Sequence, residues 1–104
     1  MDNIVVFITT SDEEEAAKIA HALVEARLAG CANIVGGLRS VYRWEGRIED
    51  EAEVLIVVKT RLSLFEGLSR KVRELHSYKV PEIIAVPVVK GSADYLKWLK
   101  EVTD

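Results

Sequence analysis

The fold is constrained most by three short apolar runs, rich in β-branched residues, at 4–8, 54–58 and 83–89. Each run is apolar at odd and even positions alike, which is typical of strands that are buried on both faces. Segments with the periodicity of amphipathic helices lie between the runs. This alternation predicts an α+β chain with a sheet at its centre.

The first helical pattern begins directly after the first run. Ser11 and Glu14 form a capping pair, and an apolar stripe at three- and four-residue spacing follows as far as Val24. Gly30 stands where a left-handed residue often ends a helix. The first helix is therefore predicted over about residues 12–29.

The second half of the chain repeats this pattern. Ser63 and Glu66 open a helix that is predicted over roughly residues 64–76. The last apolar run contains Pro87, which cannot donate to a strand ladder, so this strand is predicted at a sheet edge. Ser92 can cap a short final helix.

A long hairpin is predicted between the two helices. Residues 31–44 favour a strand, and 53–59 favour its return after a connection at 45–47. A straight strand over 31–44 would reach about 46 Å at 3.3 Å per residue. A compact domain of this size is only roughly 34 Å across. The hairpin is therefore expected to overhang the domain or to bend at Gly36 and Gly37.

The order of elements predicts the architecture. It is β-α-β-β-α-β with one extra helix, which indicates a ferredoxin-like sandwich with an antiparallel four-stranded sheet, in one domain over residues 1–104. The first and third strands are expected at the centre of the sheet. Because helices cover only one face of such a sheet, the other apolar face needs a partner, and we expect the chain to self-associate.

Charge and cysteine content exclude several classes of protein. Fourteen basic against seventeen acidic residues give a net charge of −3, which argues against nucleic-acid binding. The single cysteine, Cys31, cannot form an internal disulfide, so a cytoplasmic protein is expected. The run at 83–89 is too short to span a bilayer, and residues 1–3 lack a basic segment. Neither a membrane partner nor a signal peptide is expected.

Catalytic motifs are missing from the sequence. It contains no G-x-S-x-G, G-x-x-x-x-G-K-[ST], C-x-x-C or H-E-x-x-H. Cys31 could pair with His76 or His21, but a lone cysteine after a helix is more often a small buried apolar group. His21 is expected to be a solvated helix residue. The chain is therefore predicted not to be an enzyme.

His76 is the strongest candidate metal ligand. It lies close in sequence to Glu82, and an imidazole with a carboxylate, or with the thiolate of Cys31, suits copper or zinc. The alternative is structural, because His76 closes the second helix and can cap its carbonyl groups. No local set of three or four donors exists, so a site would be weak or would combine several subunits. No obligatory cofactor is expected, and Cu²⁺ or another divalent cation is the candidate ligand.

Aromatic and acidic residues mark further surfaces. Tyr42 and Trp44 precede the tip of the hairpin, and Tyr95 and Trp98 lie on the final helix. Such side chains commonly fill subunit contacts, which we favour over ligand stacking. The acidic residues within 49–53 could collect divalent cations, but they are more typical of a solvated strand rim.

Six segments together resemble the CutA family of divalent-cation tolerance proteins, over nearly the whole chain. Any one segment is weak, but the six in this order at this length are specific. They are Thr9-Thr10, Ala26 to Ile34, Ser40 to Gly46, Val58 to Arg61, Leu75 to Ile84, and Tyr95 to Leu99.

The resemblance implies a cytoplasmic homotrimer that is linked to copper and other divalent metals. It implies metal donors at Cys31 and His76, to which we add Glu82. Some relatives place the metal partly on a cysteine in the first strand and on two adjacent histidines, where this chain has Ile8 and Leu75. To the inter-subunit clefts we assign Tyr42, Trp44, Lys59, Tyr78, Tyr95 and Trp98.

Two hypotheses for the function follow. In the first, the chain serves divalent-metal tolerance or response and binds the metal at inter-subunit clefts. In the second, it resembles the trimeric PII signalling proteins, binds a small ligand as a sensor or scaffold, and has no metal role. The two hypotheses differ in what the clefts bind.

Overall fold

The predicted order of strands and helices is present in the computed structural model, which describes residues 2–104. The order β-α-β-β-α-β followed by one helix confirms the α+β, ferredoxin-like prediction. The elements are β1 (Asn3–Thr10), α1 (Glu13–Glu25), β2 (Cys31–Trp44), β3 (Arg47–Arg61), α2 (Phe65–Leu75), β4 (Ile83–Pro87) and α3 (Ala93–Val102).

The four strands form one antiparallel sheet in the order β2-β3-β1-β4. β1 and β3 are central, as predicted from their apolar sequences. β4 lies at an edge, as Pro87 indicated, and pairs with β1 from Ile4↔Pro87 to Ile8↔Ile83. The edges of the sheet are therefore β2 and β4.

One face of the sheet, which we call the covered face, packs against α1 and α2. Each strand alternates, so every second side chain of β1 and β3 points into this core. None of the core side chains is more than 6% exposed. They are Ile4, Val6, Ile8, Ala16, Ile19, Leu23, Ala29, Val54, Ile56, Val58, Leu68 and Val72.

The opposite face, which we call the open face, is also apolar. It carries Val5, Phe7, Val35, Leu55, Val57, Ile84 and Val86, which are cross-strand neighbours. Ile84 is 53% exposed, and Val35 and Val86 are 45% and 43% exposed. The expectation that the strands are buried on both faces is therefore met on one face only within a single chain.

The start of α1 differs from the prediction. Asp12, rather than Ser11, is the N-cap, and its Oδ1 accepts the Glu15 backbone N–H at 2.8 Å. Ser11 instead donates to the Glu15 side chain at 3.2 Å. Carboxylates and hydroxyls cap helices about equally well, so the sequence alone does not separate these neighbours. Val24 is 44% exposed and lies outside the buried stripe.

The end of α1 also differs, since the helix stops at Glu25 and not at residue 29. Arg27 has a φ of 59°, in the left-handed region that was predicted for Gly30. Gly30 is needed for a different reason. A Cβ at this position would lie 2.4 Å from Cδ1 of Leu99, so α3 packs directly on the backbone here.

The hairpin is longer than predicted, because β3 begins at Arg47 rather than Glu53. Its acidic first half has low strand propensity, but the ladder to β2 continues up to Trp44↔Arg47. Glu45 and Gly46 form the tight connection with φ values of 48° and 79°. Two left-handed residues are typical of the two-residue turns that join antiparallel strands.

The predicted bend at the glycines is a β-bulge. The register shifts between Val35 and Leu38, and Gly37 has a φ of 78°. Beyond the bulge, residues 38–53 form what we call the hairpin arm. The arm gives the chain a long axis of 44 Å and a radius of gyration of 14.1 Å, against about 13 Å for a compact domain of this length. The expected overhang is confirmed.

The second half follows the prediction with small shifts. α2 begins after a 3₁₀ turn at Leu62–Leu64, and Ser63 lies inside that turn without capping the helix. β4 ends at Pro87 rather than Val89. Ser92 caps α3 as predicted, accepting the Tyr95 N–H at 3.3 Å. Among the helices of residues 2–104, none has the length and apolar character needed to cross a membrane.

Candidate functional site

A cleft of about 670 Å³ lies between the hairpin arm and the loop of residues 76–82, which we call the α2–β4 loop. It brings together four residues that the sequence singled out. The arm contributes Tyr42 and Trp44, and the loop contributes Tyr78 and Glu82. Glu45, Glu53 and Lys79 also line the cleft.

His76 fixes the beginning of the α2–β4 loop. Its Nε2 lies 2.7 Å from the carbonyl oxygen of Thr9, and its Nδ1 accepts the backbone N–H of Tyr78 at 3.0 Å. A carbonyl oxygen can only accept, so Nε2 carries the proton and donates. Both imidazole nitrogens are therefore occupied, Nε2 as a donor and Nδ1 as an acceptor.

The position of Thr9 explains why a side chain is needed here. The ladder between β1 and β4 ends at the pair Ile8↔Ile83, so Thr9 lies one residue beyond it and has no partner in β4. A buried carbonyl group without a hydrogen bond is costly. His76, whose side chain is 0% exposed, supplies this bond in place of a strand.

Glu15 holds the same loop from α1. Its carboxylate accepts the backbone N–H of Ser77 at 2.5 Å and the Ser77 hydroxyl at 3.0 Å. Its Oε2 also lies 3.8 Å from Nδ1 of His76. No local sequence pattern marks Glu15, because its partner Ser77 lies 62 residues away.

Tyr78 connects the loop to β3. Its hydroxyl donates to Glu53 at 2.5 Å. Burial, followed by this hydrogen bond, raises the pKa of Tyr78. Glu53 is only 6% exposed, so the prediction of a solvated acidic rim is wrong for this residue. The reason is tertiary, since the loop folds over the strand.

Tyr42 makes a matching pair on the exposed arm. Its hydroxyl donates to Glu51, and this hydrogen bond is the main cause that raises the pKa of Tyr42 to about 12. On the other face of the arm, Arg39 donates two hydrogen bonds to Asp50, at 2.8 and 2.7 Å. The hydroxyl protons of Tyr42 and Tyr78 are thus both used for neighbouring carboxylates.

The remaining predicted residues lie in a second group near α3. Cys31 is the cross-strand neighbour of Lys59, and its Sγ lies 3.7 Å from Oδ1 of Asn33. Lys59 donates to the same Asn33 oxygen. Burial, and then the nearby Cys31, raises the pKa of Tyr95, whose ring lies 5.4 Å from that of Trp98. The six predicted cleft residues are therefore divided between two places in one chain.

The three predicted metal donors do not form a site within one chain. His76 has no free nitrogen, Cys31 belongs to the group near α3, and Glu82 lines the cleft on the exposed loop. Among residues 2–104, no group of three or more histidine, cysteine or acidic side chains is arranged to hold a metal ion. The donors as they stand do not fit a preformed metal site.

Comparisons with known proteins agree on one family. The family described as "CutA1 divalent ion tolerance protein" matches residues 4–102. The Thermus thermophilus "Divalent-cation tolerance protein CutA" is 52% identical over 99 residues, which cover 95% of this chain and 96% of the relative. The Arabidopsis thaliana "Protein CutA, chloroplastic" is 46% identical over 101 residues, which cover 97% of this chain and 56% of the relative.

A solved structure shows the same fold. The "Periplasmic divalent cation tolerance protein CutA" from Archaeoglobus fulgidus superposes with a TM-score of 0.95 at 37% identity, covering 98% of this chain and 99% of that one. The family, the Thermus relative and the Archaeoglobus structure are named for tolerance of divalent ions or cations and not for an enzymatic activity.

The prediction of a cytoplasmic protein is wrong in the light of these names. The Archaeoglobus relative is described as periplasmic and the Arabidopsis relative as chloroplastic. The prediction depended on the single cysteine, Cys31. A chain with no disulfide to form folds equally well in an oxidising or a reducing compartment, so cysteine content does not decide the location.

Proposed function

The chain belongs to the CutA1 divalent ion tolerance family, and on this premise we propose that it contributes to metal tolerance as a homotrimer that binds copper or another divalent cation between its subunits. The observation that carries the proposal is the open face of the sheet. It is apolar, it spans three strands as well as the edge strand β4, and it includes side chains that are 43–53% exposed at its margins.

The surface area supports self-association. A monomer of this mass has an expected accessible surface of about 5,800 Å², whereas this chain exposes 6615 Å². The excess is consistent with the uncovered face and with the hairpin arm, on which Val41 and Ile48 are 64% and 60% exposed. Apolar surface gains about 25 cal/mol for each Å² removed from water, so packing between copies is favourable.

Two of the three proposed donors are available for a cation between subunits. Cys31 is partly exposed on the edge strand β2, and Glu82 is exposed on the α2–β4 loop. A thiolate with a carboxylate or an imidazole suits copper or zinc. His76 could join them only after releasing Thr9 and Tyr78. We therefore assign the main ligand roles to Cys31 and Glu82.

Titration of Cu²⁺ and Zn²⁺ by calorimetry tests this assignment. We expect saturable binding that Cys31→Ser and Glu82→Gln each weaken tenfold or more, a loss of about 1.4 kcal/mol. Glu66→Gln, which removes an exposed carboxylate on α2, is the matched control and should leave the affinity unchanged. Equal affinity in all three variants would reject both donors.

His76→Ala separates ligation from loop support. If His76 ligates the metal, the variant loses affinity while its unfolding is little changed. If it supports the loop, the free energy of unfolding falls by about 1–3 kcal/mol, because Thr9 and Tyr78 each lose a partner. We expect the second result.

Light scattering at micromolar concentration tests the assembly. We expect three times the mass of one chain, and the mass of a single chain would contradict the proposed trimer.

A further inference from the structure

The cleft between the hairpin arm and the α2–β4 loop has the dimensions of a small-molecule site. Its volume of about 670 Å³ falls in the range of roughly 300–1,000 Å³ that such sites occupy. Three aromatic side chains line it, and two of them, Tyr42 and Trp44, are 37% and 39% exposed. The third is Tyr78. These rings offer an apolar surface to the body of a ligand.

The charged side chains of the cleft favour a cation. Three carboxylates line it, from Glu45, Glu53 and Glu82, against the single ammonium group of Lys79. The hydroxyl protons of Tyr42 and Tyr78 are directed to Glu51 and Glu53. The phenols therefore present oxygen lone pairs and ring faces, and both attract positive charge.

Glu53 is the central acceptor of this arrangement. It is 94% buried and lines the cleft, and no salt bridge between residues 2–104 includes it. A carboxylate has about four acceptor positions, of which the Tyr78 hydroxyl fills one. A buried carboxylate without a cationic partner is costly, so a donor with positive charge would be bound favourably here.

We propose that this cleft binds an organic cation, namely an ammonium or guanidinium group on a short apolar chain. Glu53 pairs with the charged group, while Trp44 and Tyr42 contact the chain and the ring faces add cation–π attraction. The three aromatic side chains supply apolar contacts for the chain of an organic cation, and a hydrated divalent ion has no apolar group to make such contacts. This site shares Glu82 with the proposed metal donors but does not include Cys31, and its central acceptor, Glu53, has no part in the metal proposal, so the inference goes beyond the tolerance function.

Titration with n-butylamine and n-butylguanidinium tests the proposal. Binding is measured by calorimetry and by the fluorescence of Trp44. We expect saturable binding of both cations and none of the neutral isostere n-butanol. Glu53→Gln should weaken binding tenfold or more, whereas Glu66→Gln, on the exposed side of α2, should not change it. If Glu53→Gln does not fold, Trp44→Leu provides the test instead. It leaves the Tyr78–Glu53 hydrogen bond intact and should also weaken binding of the cations.

The same cation chemistry could come from a lysine or arginine side chain of a second copy. Binding of the free amine, lost in Glu53→Gln with the oligomeric state unchanged, identifies a free ligand. No binding of the amine, together with tenfold weaker self-association in Glu53→Gln but not in Glu66→Gln, identifies the side chain of a second copy. The proposal is overturned if butanol binds as tightly as the amine, or if Glu53→Gln matches the wild type both in amine affinity and in self-association.

Copper titration of Glu53→Gln should give the same affinity as the wild type, so that failure of this proposal and failure of the metal proposal can be told apart.

Discussion

The two faces of the sheet differ far more in what covers them than in their composition. Along β3, Ile56 and Val58 of the covered face are 0% exposed, whereas Leu55 and Val57 of the open face are only partly buried. All four are aliphatic. The monomer uses one apolar face for its own core, and the second apolar face is of the kind that the proposed contact between copies would cover.

Neighbouring residues of β3 give the largest expected difference between the two faces. Ile56→Ala should lower the free energy of unfolding by about 2–5 kcal/mol, because it opens a cavity in a closed core. Val57→Ala should cost no more than about 1.5 kcal/mol in the dissociated chain, since a half-buried side chain recovers only part of its transfer free energy. Urea unfolding measures both values at a protein concentration low enough for light scattering to report the mass of a single chain.

Concentration then separates the two faces further. If the open face is a subunit contact, the cost of Val57→Ala grows with protein concentration, because unfolding is then coupled to dissociation. The cost of Ile56→Ala should be present at every concentration. A Val57→Ala effect that does not depend on concentration would remove this evidence for a contact on the open face.

A pair of exposed valines provides the next test. Val86 on the open face and Val24 on α1 are exposed to almost the same extent, 43% and 44%. Val86→Glu should raise the dissociation constant of self-association tenfold or more, equivalent to about 1.4 kcal/mol, because it places a charge in the contact. Val24→Glu should leave it unchanged. Light scattering over a dilution series measures both, and equal behaviour would exclude a contact through β4.

The order of elements was predictable because its signals are local. Apolar stripes, the cap at Ser92 and the position of Pro87 each act within a few residues, and they placed the helices, the central strands and the edge strand. The start of β3 was missed because the pairing with β2 overrides the low strand propensity of the acidic residues before Glu53. The local sequence alone therefore does not predict that pairing.

The candidate site was less predictable because its bonds connect distant parts of the chain. His76 reaches Thr9 over 67 residues, and Glu15 reaches Ser77 over 62. From the sequence, His76 is compatible with metal ligation and with a structural role. Only its distances to Thr9 and Tyr78 show that both of its nitrogens are occupied. The burial of Glu53 likewise depends on Tyr78, which lies 25 residues away.

The smallest expected effects come from two tyrosine–glutamate pairs, which repeat the contrast between covered and uncovered positions. The Tyr42–Glu51 hydrogen bond is the main cause of the raised pKa of Tyr42, about 12, whereas burial is the main cause at Tyr78. Glu51→Gln should therefore return the pKa of Tyr42 toward its ordinary value of 10.0. Glu53→Gln should leave the pKa of Tyr78 well above that value. Absorbance of the phenolate against pH measures both changes, and an equal drop in the two variants would contradict the assignment of causes.

The sign of the pH dependence follows from the same shifts. Because the folded chain holds the phenolic protons more tightly than the unfolded chain, it binds more protons above pH 10, and the free energy of unfolding falls as the pH rises from 10 toward 12. Tyr42→Phe removes the group that titrates, so its unfolding free energy should decline less over this interval than that of the wild type. Glu51→Gln should behave in the same way as Tyr42→Phe, since the hydrogen bond is the first cause of the shift. A wild-type protein whose stability is constant from pH 10 to 12 would show that neither pair retains its protons in the folded state.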